Sequence, residues 1–169
     1  LSDDVDFGLA AGIEFNADGT KMFVSFAQTD TSESDLTRVI NTYDLSTPYD
    51  VSTETFAGDS ERCEFEVHTD DSGHQIYDLE LSNDGMKMLL VTRVRSSSAD
   101  HDKAYVLDLT TAYDISTCSL SSETTDVDSD TFTSGSNAGE HDGTTEHMLQ
   151  GIEVNEDGSK VFLLFNNRN

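Results

Sequence analysis

One fifteen-residue pattern occurs three times in this chain, and that recurrence constrains the fold more than any other feature. The first copy is Gly12-Ile-Glu-Phe-Asn-Ala-Asp-Gly-Thr-Lys-Met-Phe-Val-Ser-Phe26. The second runs Asp78-Leu-Glu-Leu-Ser-Asn-Asp-Gly-Met-Lys-Met-Leu-Leu-Val-Thr92, and the third Gly151-Ile-Glu-Val-Asn-Glu-Asp-Gly-Ser-Lys-Val-Phe-Leu-Leu-Phe165. Each copy reads as a short strand, a four-residue turn and a longer apolar strand. The Asp-Gly step marks a hairpin, because glycine takes positive φ without a Cβ penalty. Asn16, Ser82 and Asn155 open the turns with side chains suited to bonding the backbone two residues on.

A second element repeats in the same order. Thr42-Tyr-Asp-Leu-Ser-Thr-Pro-Tyr-Asp-Val-Ser-Thr53 returns as Val106-Leu-Asp-Leu-Thr-Thr-Ala-Tyr-Asp-Ile-Ser-Thr117. Met22, Val24 and Phe26 fall on one face of their strand and Phe23 on the other, a pattern expected of a strand between two packed sheets. No stretch has an apolar 3.6-residue period. The chain is therefore expected to be all-β, with about two complete antiparallel four-stranded sheets and partial ones at each end. The expected organisation is residues 1–11 as the end of a preceding unit and 12–74 as repeat one. Repeat two covers 75–120, an acidic insertion 121–147, and a partial repeat three 148–169.

Charge narrows the partners. Thirty-four Asp and Glu against nine Lys and Arg give a net charge of −25. Direct contact with nucleic acid or anionic membrane needs clustered basic residues, so neither is expected, and no apolar run is long enough to insert in a membrane. Such an acidic surface suits either divalent-cation binding through oxygen ligands or solubility in high salt. The two cysteines, Cys63 and Cys118, match no zinc spacing. A disulfide is conceivable in an oxidising compartment, but two free buried thiols are the favoured reading.

Two sets of carboxylates are candidate metal ligands. Asp126, Asp128 and Asp130 alternate as in the first half of a calcium loop, although Thr131 stands where such a loop needs glycine and Asn137 where it needs Glu. Glu14, Glu80 and Glu153 recur at one place in the repeat. Arranged around an axis they would surround a cation or a sugar hydroxyl; the favoured alternative is a backbone or Lys partner within each unit. Calcium is the expected cofactor. Hydrolase elbows, P-loops, dinucleotide fingerprints and HExxH motifs are missing from the sequence.

The order strand, Asp-Gly turn, apolar strand, Tyr-Asp-Leu-Ser-Thr resembles β-propeller repeats of the "SPDGTKMYV…YDLST" kind. The matching text is Asn16-Ala-Asp-Gly-Thr-Lys-Met-Phe-Val24 with Tyr43-Asp-Leu-Ser-Thr-Pro-Tyr-Asp-Val-Ser-Thr53. Similar copies occur in large surface or phage-associated repeat proteins of marine microbes. The resemblance covers roughly half the chain and implies propeller-like blades. It departs in spacing, since a blade takes about 40–50 residues and the Asp-Gly turns here lie further apart. Related lactonase-like hydrolases hold an axial metal with acidic, Asn and His ligands, a set with no residue-by-residue counterpart here.

A propeller closes with at least four blades, more than this chain holds. The expectation is therefore a homo-oligomer or part of a longer chain, with strand addition at an open C-terminal edge. The expected function is a non-enzymatic extracellular module, structural or binding, of a cell-surface, filament or virion assembly. The alternative is a metal-dependent lactonase-type hydrolase.

Overall fold

The computed structural model describes residues 9–27, 37–66, 74–94, 102–123, 146–155 and 157–168. Among these there is no α-helix, and eleven strands form three antiparallel sheets. The first sheet joins β1 (Leu9–Phe15), β2 (Lys21–Ala27) and β3 (Thr37–Leu45). Its outer position is divided between β4 (Glu54–Phe56) and β5 (Cys63–Glu66), both paired with β3. The second sheet is an uninterrupted meander of β6 (His74–Leu81), β7 (Lys87–Val94), β8 (Asp102–Asp108) and β9 (Ser119–Glu123). In the third sheet β10 (Glu146–Val154) pairs with β11 (Val161–Arg168).

The Asp-Gly turns differ from the expectation in length and bonding. Five residues separate β1 from β2, and Gly19, Gly85 and Gly158 take φ of 70°, 66° and 69°. Asn16 Oδ1, Ser82 Oγ and Asn155 Oδ1 accept from the N–H of Lys21, Lys87 and Lys160, five residues on rather than two. That N–H opens the second strand and points back across the hairpin mouth, so only the residue closing the first strand can reach it. The two-residue reach belongs to Asp18, Asp84 and Asp157, which accept from Thr20, Met86 and Ser159.

The sheets stack because their middle strands are apolar on both faces. Phe23 and Ile40 of the first sheet meet Leu79, Leu90, Tyr105 and Leu107 of the second, all at most 1% exposed. At about 1.5–3 kcal/mol per buried side chain, these six contribute on the order of 10 kcal/mol. The other face of the second sheet, through Val91 and Leu89, packs on Leu149, Ile152 and Leu163 of the third.

A disulfide between Cys63 on β5 and Cys118 ties the first sheet to the second, in place of the two free thiols favoured from the sequence. Fifty-five residues separate the pair, and only the stacking brings β5 beside the turn before β9. β9 and β10 also extend into both ends of the stretch expected to be an irregular insertion. Of residues 1–11, expected to end a preceding unit, residues 1–8 lie outside the described residues and 9–11 belong to β1.

Candidate functional site

The first strands of the three sheets, β1, β6 and β10, lie side by side, with β6 between the other two. Each carries one extra residue against its partner at the same place: between Ala10 and Ile13, between Ile76 and Asp78, and between Leu149 and Gly151. Such a bulge re-aims side chains and frees backbone groups from the ladder. Two of the freed groups are met by one side chain. Asp78 Oδ1 accepts from Leu79 N–H at 3.0 Å, and its Oδ2 accepts from Ile152 N–H on β10 at 3.0 Å.

Asp78 occupies the repeat position filled by Gly12 and Gly151 in the other copies, and the packing requires this alternation. A Cβ on Gly12 would stand 2.9 Å from Asp78 Cα and from its Oδ1; one on Gly151 would stand 3.2 Å from Oδ2. Gly12 N–H is satisfied instead by Ser25 Oγ at 2.9 Å. The sequence signal was present as the single acid at an otherwise glycine position, but not its reason.

Glu14, Glu80 and Glu153 are brought close enough to act on one another. Burial raises the pKa of Glu14, opposed by bonds from Phe15 N–H (2.9 Å) and from Glu80. Glu80 is pushed up to about 8, first by burial and then by the charges of Glu14 and Glu153. Protonated Glu80 donates to Glu14, while Val154 N–H donates to Glu80. Asp78 is raised by burial and by Glu153, against its two backbone bonds. Of the three recurring acids, Glu14 takes a backbone partner on its own strand, Phe15, and Glu80 takes one from Val154. The partner of Glu80 lies on the neighbouring sheet, as does one of the two partners of Asp78.

Chemically the arrangement is a proton-sharing carboxyl pair, Glu14 and Glu80, with Asp78 and Glu153 beside it. Among the described residues, no three His, Cys, Asp or Glu side chains are grouped so as to hold a metal ion. Asp126, Asp128 and Asp130 lie outside the described residues.

A second region stands out at the far side of the stack. Phe162 and Leu164 on β11 are 55% and 65% exposed. Their repeat equivalents in the first sheet, Phe23 and Ser25, are fully covered by the second sheet. β11 pairs with β10 along one edge and with no described strand along the other, whereas β2 and β7 are each paired on both edges.

No family model, curated protein or solved structure matches the chain.

Proposed function

We propose that this chain is a non-enzymatic, extracellular structural or binding module whose repeated sheets stack as propeller-like blades within a cell-surface, filament or virion assembly. The observation that carries the reading is the contrast between Phe162 and Leu164, largely exposed, and Phe23, wholly covered at the same place in the repeat. The face is covered twice by described strands, and the exposure of its third copy supports a partner outside the chain. Contiguous exposed apolar surface of this kind marks an interaction site. The Cys63–Cys118 disulfide supports an oxidising compartment. The net charge of −25 disfavours nucleic acid and anionic membrane as the partner. On the inner strands, the carboxyls of Asp78 and Glu80 are engaged by backbone N–H groups of β10, an arrangement suited to joining sheets rather than to turning over a substrate.

The test is sedimentation velocity of the intact chain beside a Phe162→Ser/Leu164→Ser variant. Concentration-dependent association that the variant loses supports the module. A monomer at every concentration, together with lactone turnover abolished by chelation, would replace it with the hydrolase alternative.

A further inference from the structure

The edge of β11 that no described strand pairs is specific about what would fit it, because the same edge is occupied twice elsewhere in the chain. In the first sheet, β3 and the loop after it make four contacts with the hairpin of β1 and β2. Lys21 Nζ pairs with Asp44 at 3.0 Å, and Leu45 N–H donates to Thr20 C=O at 2.7 Å. Tyr49 N–H donates to Gly19 C=O at 2.9 Å, and Tyr49 Oη to Ala17 C=O at 2.9 Å. The second sheet repeats every contact. Lys87 pairs with Asp108 at 2.5 Å, Leu109 N–H bonds Met86 C=O, and Tyr113 bonds Gly85 C=O and Asn83 C=O.

Both tyrosines sit at positive φ, 60° and 58°, where a non-glycine residue is strained. Their rings lie directly over the turn glycines: a Cβ on Gly19 or Gly85 would stand 2.4 or 2.5 Å from ring carbon. The strain is offset by this seat and by the hydroxyl bonds.

The third hairpin presents three of these receptors, Lys160 and the carbonyls of Ser159 and Gly158, with no described residue on them. Gly158 has the same φ, 69°, and nothing within 4 Å of where a Cβ would stand. Lys160 aligns with Lys21 and Lys87, and no described residue pairs with its ammonium. The carbonyls of Gly158 and Ser159 receive no bond from a described backbone N–H. Beside Gly158 is a hollow of about 230 Å³, lined in part by Ser82, Asn83, Asp84, Asn155 and Asp157. Tyr113 stands in the corresponding place one sheet earlier, between its own turn and the turn of the first sheet, near enough to feel the charges of Asp84 and Asp18.

We infer that β11 is the acceptor edge for a polypeptide segment of the type apolar-Asp-Leu-(Ser/Thr)-Thr-x-Tyr-Asp, docked as an antiparallel strand with its tyrosine over Gly158. The register is set by the two internal examples, in which Lys21 faces Asp44 and Lys87 faces Asp108. In the complex, Lys160 faces the segment's Asp, and Val161 faces the apolar residue before it. Main-chain bonds supply affinity, and the tyrosine seat and the ion pair supply register. This rests on the module reading above and names its partner.

The probe is a fluorescent peptide with the sequence of Ala104–Thr117, titrated with the intact chain at physiological salt and followed by anisotropy. Saturable binding is expected. Tyr113→Ala in the peptide should weaken it at least tenfold. Asp108→Asn in the peptide and Lys160→Ala in the chain should each weaken it about two- to fivefold, as an exposed ion pair does, and the two together no more than either alone. Absence of binding up to about 1 mM, the weak end of such contacts, overturns the inference. Binding indifferent to both the tyrosine and Lys160 overturns it too, as does a β11–β11 dimer that the peptide does not dissociate. Association persisting through Phe162 and Leu164 when the peptide fails leaves the module reading intact.

Discussion

Replacing Glu80 with Gln should stabilise this protein in alkaline solution and leave it unchanged in mild acid. Glu80 is flanked by Glu14 on β1, by Asp78 on its own strand and by Glu153 on β10, all of them acids. Its pKa rises from an ordinary 4.5 to about 8, so the folded state holds a proton that the unfolded chain has released. Stability from this group is complete below about pH 4.5. It declines as the pH rises and is lost once the folded-state value near 8 is passed. Converted whole, a rise of that size would correspond to roughly 5 kcal/mol. Glu80 is only partly buried, and solvent screens its neighbours, so about 1–2 kcal/mol is the expected effect. Gln keeps an oxygen for Val154 N–H and an N–H for Glu14, imitating the protonated acid. Urea unfolding of both proteins from about pH 4 to about pH 9 isolates this effect, since the rest of the −25 charge is common to both. The expected result is coincident curves at the acid end and a Gln variant more stable by about 1–2 kcal/mol at the alkaline end. A constant difference across the range, or a wild-type protein that gains on the variant as pH rises, would refute the reasoning.

Three further outcomes are expected. Asp78→Ala leaves Leu79 N–H and Ile152 N–H without their acceptor, and at about 1–3 kcal/mol per orphaned group it should cost about 3–4 kcal/mol in urea unfolding. A loss under about 1 kcal/mol would mean that water or a neighbour replaces the carboxylate. Cys63→Ser/Cys118→Ser opens a 55-residue cross-link and should cost about 3–4 kcal/mol; unchanged unfolding with and without reductant would show the bond to be energetically idle. Calcium, expected from Asp126, Asp128 and Asp130, should raise stability by about 2.7 kcal/mol at a hundredfold excess over its dissociation constant. Equal midpoints with calcium and with chelator, at matched ionic strength, would remove the ion.

The strands were legible because their signals are local. Asp-Gly turns at Gly19, Gly85 and Gly158 placed three hairpins, and alternation through Met22, Phe23 and Val24 showed a strand covered on both sides. What could not be read depended on how copies sit against each other. The Cys63–Cys118 bond forms because stacking brings β5 beside the turn before β9, a proximity that no spacing in sequence encodes. β9, Ser-Leu-Ser-Ser-Glu, was hidden because an outer strand with one apolar residue has almost no period. Asp78 is hidden for a related reason: Glu14, Glu80 and Glu153 recur in the repeat, whereas the acid that joins two strands is the one that does not.

That non-recurrence has a physical logic. A stack of identical repeats would place either three aspartates or three glycines at the bulges of β1, β6 and β10. Three aspartates would bring like charges together on inner strands that already hold Glu14, Glu80 and Glu153. Three glycines would leave Leu79 N–H and Ile152 N–H without an acceptor, because Gly12 and Gly151 have no side chain to offer. One aspartate between two glycines resolves both problems, since each of its oxygens serves one bulge and each glycine makes room for the carboxylate. The same reasoning separates the two ends of the hairpins. At the inner strands the copies must differ to fit together, and they do. At the turns and second strands, which meet a third strand of common type, they can remain alike, and Lys21, Lys87 and Lys160 with Gly19, Gly85 and Gly158 are unchanged through all three. A third hairpin that served only to cover Val91 and Leu89 would have no use for Lys160 or for an open seat over Gly158. Their presence beside an edge that no described strand pairs is what the docking of a Tyr-bearing strand explains.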